Sequence, residues 1–259
     1  MNPLLTIAIA AAREAGSGIM QFYASSAFDT KDDGSPITLA DRTANEILIR
    51  HLNETGIQIL SEESEGVPLP YPSRMWIIDP MDGTIGFIKK TDDFAVMIGL
   101  IENGRPILGV VYAPVHDTLY YAETGTGAFV TRRGETTRLT VSTRDSENLR
   151  FLCSANHFTP IMQTVTDTLG ATLTPQGSVG LKAGKLAEAE GDFFFSPGKL
   201  GEWDVCAPEI IATEAGGRVT DFNGAPLFYG TNDHRITSGS VFSNGACHEK
   251  VLNAIRSAQ

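Results

Sequence analysis

The chain has 259 residues, 42% hydrophobic and 20% charged, and its 26 Gly and 13 Pro follow no period, which excludes collagen-like, coiled-coil and broadly disordered classes. Twenty Lys and Arg against 31 Asp and Glu leave a formal charge of −11, so neither nucleic acid nor a membrane surface is expected as a partner. That length suits one large α/β domain or two fused halves with a sizeable core.

The apolar run Leu4-Leu5-Thr6-Ile7-Ala8-Ile9-Ala10-Ala11-Ala12, with apolar spacing continuing past Arg13-Glu14 through Ala15, Ile19 and Phe22, predicts an amphipathic first helix over roughly 3–24. A polar loop at Lys31-Asp32-Asp33-Gly34-Ser35-Pro36 follows, and Thr38 to Asp41 has the spacing of a capping box, with Ala44, Ile47, Leu48 and Leu52 continuing a second helix. Ile57–Leu60 and Met75–Ile78 read as short strands ending in acids, Glu62-Glu63 in one case and Asp79 in the other, with Pro80 fixing a turn after the second. Phe94–Ile101, Pro106–Tyr112, Leu119–Ala122 and Ala128–Thr131 read as an antiparallel meander.

Polar composition between Arg132 and Asn148 marks a boundary, giving an N-terminal α+β half (1–140) and a C-terminal α/β half (141–259). Expected in the second half are strands at Phe151–Ser154, Asp192–Ser196 and Arg218–Asp221, and helices around 159–169, 178–190, 204–215 and 247–257. Cys153, Cys206 and Cys247 are odd in number and far apart, and the five His are dispersed, so a disulfide framework and a zinc site are disfavoured and a reducing, cytoplasmic setting is expected. No apolar run reaches the ~18–20 residues that span a bilayer.

The densest chemistry lies in Trp76-Ile77-Ile78-Asp79-Pro80-Met81-Asp82-Gly83-Thr84. Asp79, Asp82 and the Met81 carbonyl offer hard oxygen ligands of the kind Mg²⁺ takes. Gly83 lets the backbone approach an anion, and Thr84 adds a hydroxyl. Taken singly, Asp-Gly is also a common turn pair, Glu62-Glu63 a solvated pair, and Asp41 and Asp204 helix caps.

Three ordered motifs change that balance: Leu60-Ser61-Glu62-Glu63-Ser64, the Trp76–Thr84 segment, and Glu202-Trp203-Asp204-Val205-Cys206-Ala207-Pro208 running to Thr213-Glu214-Ala215-Gly216-Gly217. Together they resemble the inositol monophosphatase superfamily of Mg²⁺-dependent, lithium-sensitive phosphatases, from the first helix to about Phe222. The resemblance implies a layered αβαβα sandwich, of α/β (α+β) class. It implies that Glu62, Asp79, Asp82, Asp204 and the Met81 carbonyl hold two or three Mg²⁺. It also implies that Thr84 and Asp41 polarise the attacking water and that the Gly83 and Thr84 backbone binds phosphate.

Within the superfamily, Lys31 to Asp41, Gly177-Ser178-Val179-Gly180-Leu181-Lys182 and Cys206-Ala207-Pro208-Glu209 resemble the 3′(2′),5′-bisphosphate nucleotidase branch. That branch implies 3′-phosphoadenosine 5′-phosphate as substrate, a by-product of sulfate assimilation, with Lys31, Ser178 and Lys182 among its contacts; Lys89 and Lys90 are further candidates for the second phosphate. The inositol enzymes carry a glutamate seven residues before the Trp-Asp aspartate, and Pro197 stands there in this chain. Ile85-Gly86 replace the family's polar pair before Phe87, which keeps an inactive Mg²⁺- or nucleotide-binding module open as an alternative, beside an inositol-1-phosphate or fructose-1,6-bisphosphate phosphatase. Family members are monomers or homodimers. A P-loop, a nucleophile elbow and a dinucleotide fingerprint are all missing: Gly180 to Lys185 is one residue short of a P-loop and is followed by Leu186.

Overall fold

Alternation along residues 75–78 sorts the chain into two cores: Trp76 and Ile78 join the buried faces of two N-terminal helices, while Met75 and Ile77 join a larger cluster lying between two sheets. The computed structural model describes residues 2–24, 28–30, 36–63, 71–198, 200–231 and 233–259; Lys31 and its polar loop lie outside them.

Helix α1 (Pro3–Phe22) starts with Pro3 behind an Asn2 cap that accepts the Leu4 N–H at 3.0 Å. Strands β1 (Phe28–Thr30) and β2 (Pro36–Thr38) pair antiparallel and lead into α2 (Leu39–Asn53), which opens on the expected Thr38/Asp41 capping box. Next come β3 (Ile59–Ser61), β4 (Arg74–Asp82), the short α3 (Thr84–Lys89), β5 (Ala95–Glu102), β6 (Arg105–Ala113), β7 (Thr118–Glu123), β8 (Gly127–Arg132) and β9 (Glu135–Arg138). They form a seven-stranded sheet in sequence order, β3 parallel to β4 and the rest an antiparallel meander. Strand β9 runs through the polar stretch expected as a boundary; it is an edge strand exposed along its whole length, and its composition hides it.

The remaining elements are β10 (Arg150–Ser154), α4 (Pro160–Leu169), β11 (Thr172–Gln176), α5 (Val179–Ala187), β12 (Phe193–Ser196), β13 (Leu200–Gly201), α6 (Glu202–Glu214), β14 (Arg218–Thr220), β15 (Arg235–Ile236), β16 (Ser240–Ser243) and α7 (His248–Ser257). A five-stranded sheet runs β11-β10-β12-β16-β14, with β10 parallel to both its neighbours. Helices α5 and α6 lie between the two sheets, and α4 and α7 pair with each other beside the second, completing the expected αβαβα order. Close approach of α6 to the first sheet depends on two glycines. A Cβ at Gly99 would stand 2.4 Å from Cys206 Sγ, and one at Gly109 would stand 2.3 Å from Ile210 Cγ2. Cys153, Cys206 and Cys247 are free and buried.

Candidate active site

Asp79 and Asp82 are three positions apart, an odd spacing that would send their side chains to opposite faces of a regular strand. Strand β4 instead runs on to Asp82, and its register against β5 shifts between Asp79↔Met97 and Asp82↔Ala95, so that three residue steps oppose two. The extra residue is a β-bulge at Pro80-Met81, and it returns Asp82 to the face of Asp79. Pro80 therefore sits inside a bulged strand rather than in a turn after it. Its missing N–H suits an unpaired position, and the Met81 N–H donates to Asp79 Oδ1 at 2.9 Å. Asp79 follows Met75 and Ile77 in the alternation and faces the layer of α6.

There Asp204, in the first turn of α6, completes the group: one carboxylate oxygen from each of Asp79, Asp82 and Asp204 lies within 4.8 Å of the others. Asp204 also accepts the Gly201 N–H at 2.6 Å, so the capping duty and membership of the acidic cluster coexist in one side chain. Glu62 adjoins this trio, its side chain engaged with Asp79, and lines the same cleft with Asp82 and Asp204; its backbone N–H is tied to the Ile78 carbonyl at 3.1 Å.

Burial and mutual repulsion govern these acids. Burial, then the charges of Glu62, Asp82 and Asp204, holds Asp79 well above the usual carboxylate range. Asp82 is raised by burial against the opposing pull of hydrogen bonds from Ser178 and Gly180 and the charge of Lys182. Burial, with Asp82 and Glu62 adding to it, pushes Asp204 up to about 8. Buried acids that repel one another and offer only hard oxygen atoms fit a divalent cation.

Beside the cluster, the single proton of Thr84 Oγ1 has two acceptors in reach, Asp41 Oδ1 and the Met81 carbonyl, each at 3.3 Å. The Thr38 N–H and hydroxyl hold Asp41 Oδ2 at 2.6 and 2.7 Å, which pins the carboxylate with its other oxygen toward Thr84. Gly83, at φ 96° between β4 and α3, makes the turn that places Thr84 there.

A cleft of about 740 Å³ opens over these groups, lined by Glu62, Asp82, Gly83, Thr84, Lys182 and Asp204. Lys182 is only 6% exposed; burial lowers its pKa while the charges of Asp82, Cys153 and Asp204 oppose that. Ser178, expected among the substrate contacts, is instead fully buried and donates its hydroxyl to Asp82. Lys90 is engaged with the Tyr23 carbonyl and lies over the Tyr23 ring, and Lys89 is exposed. Ile85 lines the cleft, and Pro197 lines it where an inositol enzyme would carry glutamate.

Sequence reasoning missed the wall formed by Ser154, Asn156, His157 and Thr159, which follows the C-terminal end of β10. Its signal is the Asn156, His157 and Thr159 that follow directly on the strand expected at Phe151–Ser154, since strand ends are where open sheets bind ligands. Among the described residues, Thr159 Oγ1 is buried without a hydrogen-bond partner, and it lies in this wall.

Two sheets with helices between them, and a cleft where buried carboxylates converge beside a pinned hydroxyl, define a protein that holds a divalent cation and handles an anionic ligand. The chain belongs to the inositol monophosphatase family, whose model matches residues 1–259. It is 34% identical over 246 residues to the 3′(2′),5′-bisphosphate nucleotidase CysQ of Aggregatibacter actinomycetemcomitans, covering 92% of this chain and 91% of that protein. Among solved structures, CysQ from Bacteroides thetaiotaomicron superposes with a TM-score of 0.80 at 31% identity, covering 93% of this chain and 97% of that one. The Thermotoga maritima IMPase superposes with a TM-score of 0.85 at 28% identity, covering 99% and 98%. Family and site together make this chain a metal-dependent phosphatase.

Proposed function

We propose that the protein is a Mg²⁺-dependent 3′(2′),5′-bisphosphate nucleotidase that hydrolyses 3′-phosphoadenosine 5′-phosphate to AMP and phosphate, in sulfur metabolism and in the cytoplasm, as a monomer or homodimer. The convergence of Asp79, Asp82 and Asp204 beside the Thr84–Asp41 pair is the observation that carries this reading. Two or three Mg²⁺ held by Glu62, Asp79, Asp82, Asp204 and the Met81 carbonyl would supply the positive charge that phosphoryl transfer to water requires.

The chain's own groups do the rest. Thr84 donates to Asp41, so its lone pairs are left to accept from a water in the cleft and to orient that water in line with the ester bond. The water oxygen bonds to phosphorus as the bond from phosphorus to the 3′ oxygen breaks, and one proton of the water ends on that oxygen. Gly83 and Thr84 line the cleft where the transferred phosphate would rest. Lys182 and the unpartnered Thr159 hydroxyl offer donors for the rest of the ligand. Ile85, Met162, Val179, Phe195 and Leu200 give the cleft an apolar wall that suits a nucleobase.

Steady-state kcat/KM for 3′-phosphoadenosine 5′-phosphate, inositol 1-phosphate and fructose 1,6-bisphosphate, with and without Mg²⁺ and Li⁺, tests this reading. The bisphosphate nucleotide should lead, and Li⁺ should inhibit. A preference of about tenfold or more for inositol phosphate would favour the second reading, which the likeness to the Thermotoga maritima enzyme supports and Pro197 opposes. Absence of turnover on all three would leave the inactive binding module.

A further inference from the structure

We propose that Asp93 is a positioning residue that sets the start of α5 against Asp82 and so fixes the geometry of the acidic cluster; this rests on the phosphatase reading. Asp93 lies outside the cleft over the acids, facing a separate hollow of about 260 Å³ with Gln176 and Lys185. Its backbone is pressed into the loop that carries Thr84. A Cβ at Gly83 would stand 2.3 Å from the Asp93 carbonyl oxygen, and one at Gly86 would stand 2.5 Å from it. Gly86, one of the two departures from the family's polar pair, is thus the residue that admits Asp93.

The turn leading to Asp93 is held in a sparsely populated backbone conformation, with Lys90 at φ 57° and Asp92 at φ 62°, neither of them glycine. The Tyr23 hydroxyl donates to the Asp92 carboxylate, and Lys90 Nζ donates to the Tyr23 carbonyl, which fastens this turn to the end of α1. Strain that persists because surrounding contacts enforce it directs attention to what the turn presents.

It presents the Asp93 carboxylate to the turn before α5. Oδ1 accepts from the Gln176 side-chain amide, and Oδ2 accepts the Gly177 N–H at 3.3 Å. Gly177 packs so closely that a Cβ there would lie 2.9 Å from the Asp93 Cβ. The next residue, Ser178, caps α5 by accepting the Leu181 N–H at 3.1 Å, and its hydroxyl donates to Asp82 Oδ2. The same Asp82 oxygen accepts the Gly180 N–H at 2.8 Å. Asp93 therefore touches both sides of the cluster: the Gly83–Gly86 loop through its backbone, and the donors to Asp82 through its carboxylate. It governs where Asp82 points without reaching the acids itself.

An exchange of hydrogen-bonding roles tests this. Asp93→Asn keeps the shape at 93 but leaves a single acceptor oxygen between two donors, the Gln176 side-chain amide and the Gly177 N–H. Adding Gln176→Glu restores a donor–acceptor pair with the two roles reversed and leaves the net charge as in the wild type. Free-ion electron paramagnetic resonance of Mn²⁺ reports metal affinity independently of turnover. Asp93→Asn should weaken Mn²⁺ binding by about tenfold, the lower end of the effect seen on removing groups that orient metal ligands. Its kcat for the bisphosphate should fall with KM changed less than about twofold, since no substrate contact is lost. Gln176→Leu, which removes only the amide donor, should act in the same direction and provides the measurement should Asp93→Asn not fold. The double variant should return Mn²⁺ affinity to within about twofold of wild type. Wild-type Mn²⁺ affinity in both single variants would overturn the proposal, as would a loss that the double variant leaves unrepaired. Wild-type protein that binds Mn²⁺ but hydrolyses no bisphosphate would refute the nucleotidase reading and leave the metal-affinity result standing.

Discussion

Mg²⁺ binding should expel protons from this site, and the number can be worked from the acids. With its pKa pushed up to about 8, Asp204 would be about nine-tenths protonated at pH 7 in the metal-free protein, and a cation must displace that proton to bind. Between about pH 7 and pH 9 the deprotonated fraction rises about tenfold, so Mg²⁺ should bind about tenfold more tightly at the higher pH through Asp204 alone. Asp79 is held above the usual carboxylate range by the same burial and repulsion, which acts in the same direction. Calorimetric titration in buffers of different ionisation enthalpy measures the release directly. About 0.9 proton per chain is expected from Asp204 at pH 7, falling to about 0.1 at pH 9. Release below about 0.3 proton at pH 7, together with a dissociation constant flat across the range, would refute the reasoning. The same shifts set a stability slope. Folded-state pKa values above the unfolded ones mean that the native protein holds protons the unfolded chain has lost. Metal-free stability should therefore fall as pH rises from about 4 to about 8, and saturating Mg²⁺ should flatten that decline.

Other substitutions have separable outcomes. Asp79→Asn should abolish phosphate release, yet raise the metal-free melting temperature near pH 8, because it removes the cost that burial and acidic neighbours impose on an ionisable group there; circular dichroism and a phosphate assay read the two effects. Thr84→Ala and Asp41→Asn should each lower kcat by about a hundredfold, and the double variant should be little worse than either, because the two act as one unit. Gly86→Ala should cost about 1–3 kcal/mol in denaturant unfolding, because its Cβ would meet the Asp93 carbonyl oxygen at 2.5 Å.

Elements with strong periodicity or explicit punctuation could be read from the chain alone. The Thr38/Asp41 capping box, the meander from Ala95 to Arg132 and the three acidic motifs fall in this group, since each is encoded by neighbours in sequence. Strands β9 and β11 escaped because an exposed edge strand has no buried face to alternate, and Pro175 in β11 argues against any interior strand. The bulge at Pro80-Met81 escaped because only the register against β5 reveals it; the sequence shows a proline and suggests a turn. The bond of Ser178 to Asp82, where a substrate contact was expected, and the part played by Asp93 escaped for a further reason. The partners of these two residues, Asp82 and Gly177, lie 96 and 84 positions away, and no local pattern records a contact across that distance.

The docking of α6 on Gly99 and Gly109 has a consequence for the order of assembly. Asp79 and Asp82 are carried by the first sheet, whereas Asp204 arrives on a helix from the far half of the chain, against a surface that only these glycines leave open. Such long-range docking is slow to nucleate, because loop closure must precede the contacts that reward it. The cation's binding place is therefore finished at a late step of folding, and partially folded chains present the acids of the first sheet without Asp204. Metal capture during refolding should lag behind the formation of the meander and report the moment at which the two sheets close on α6.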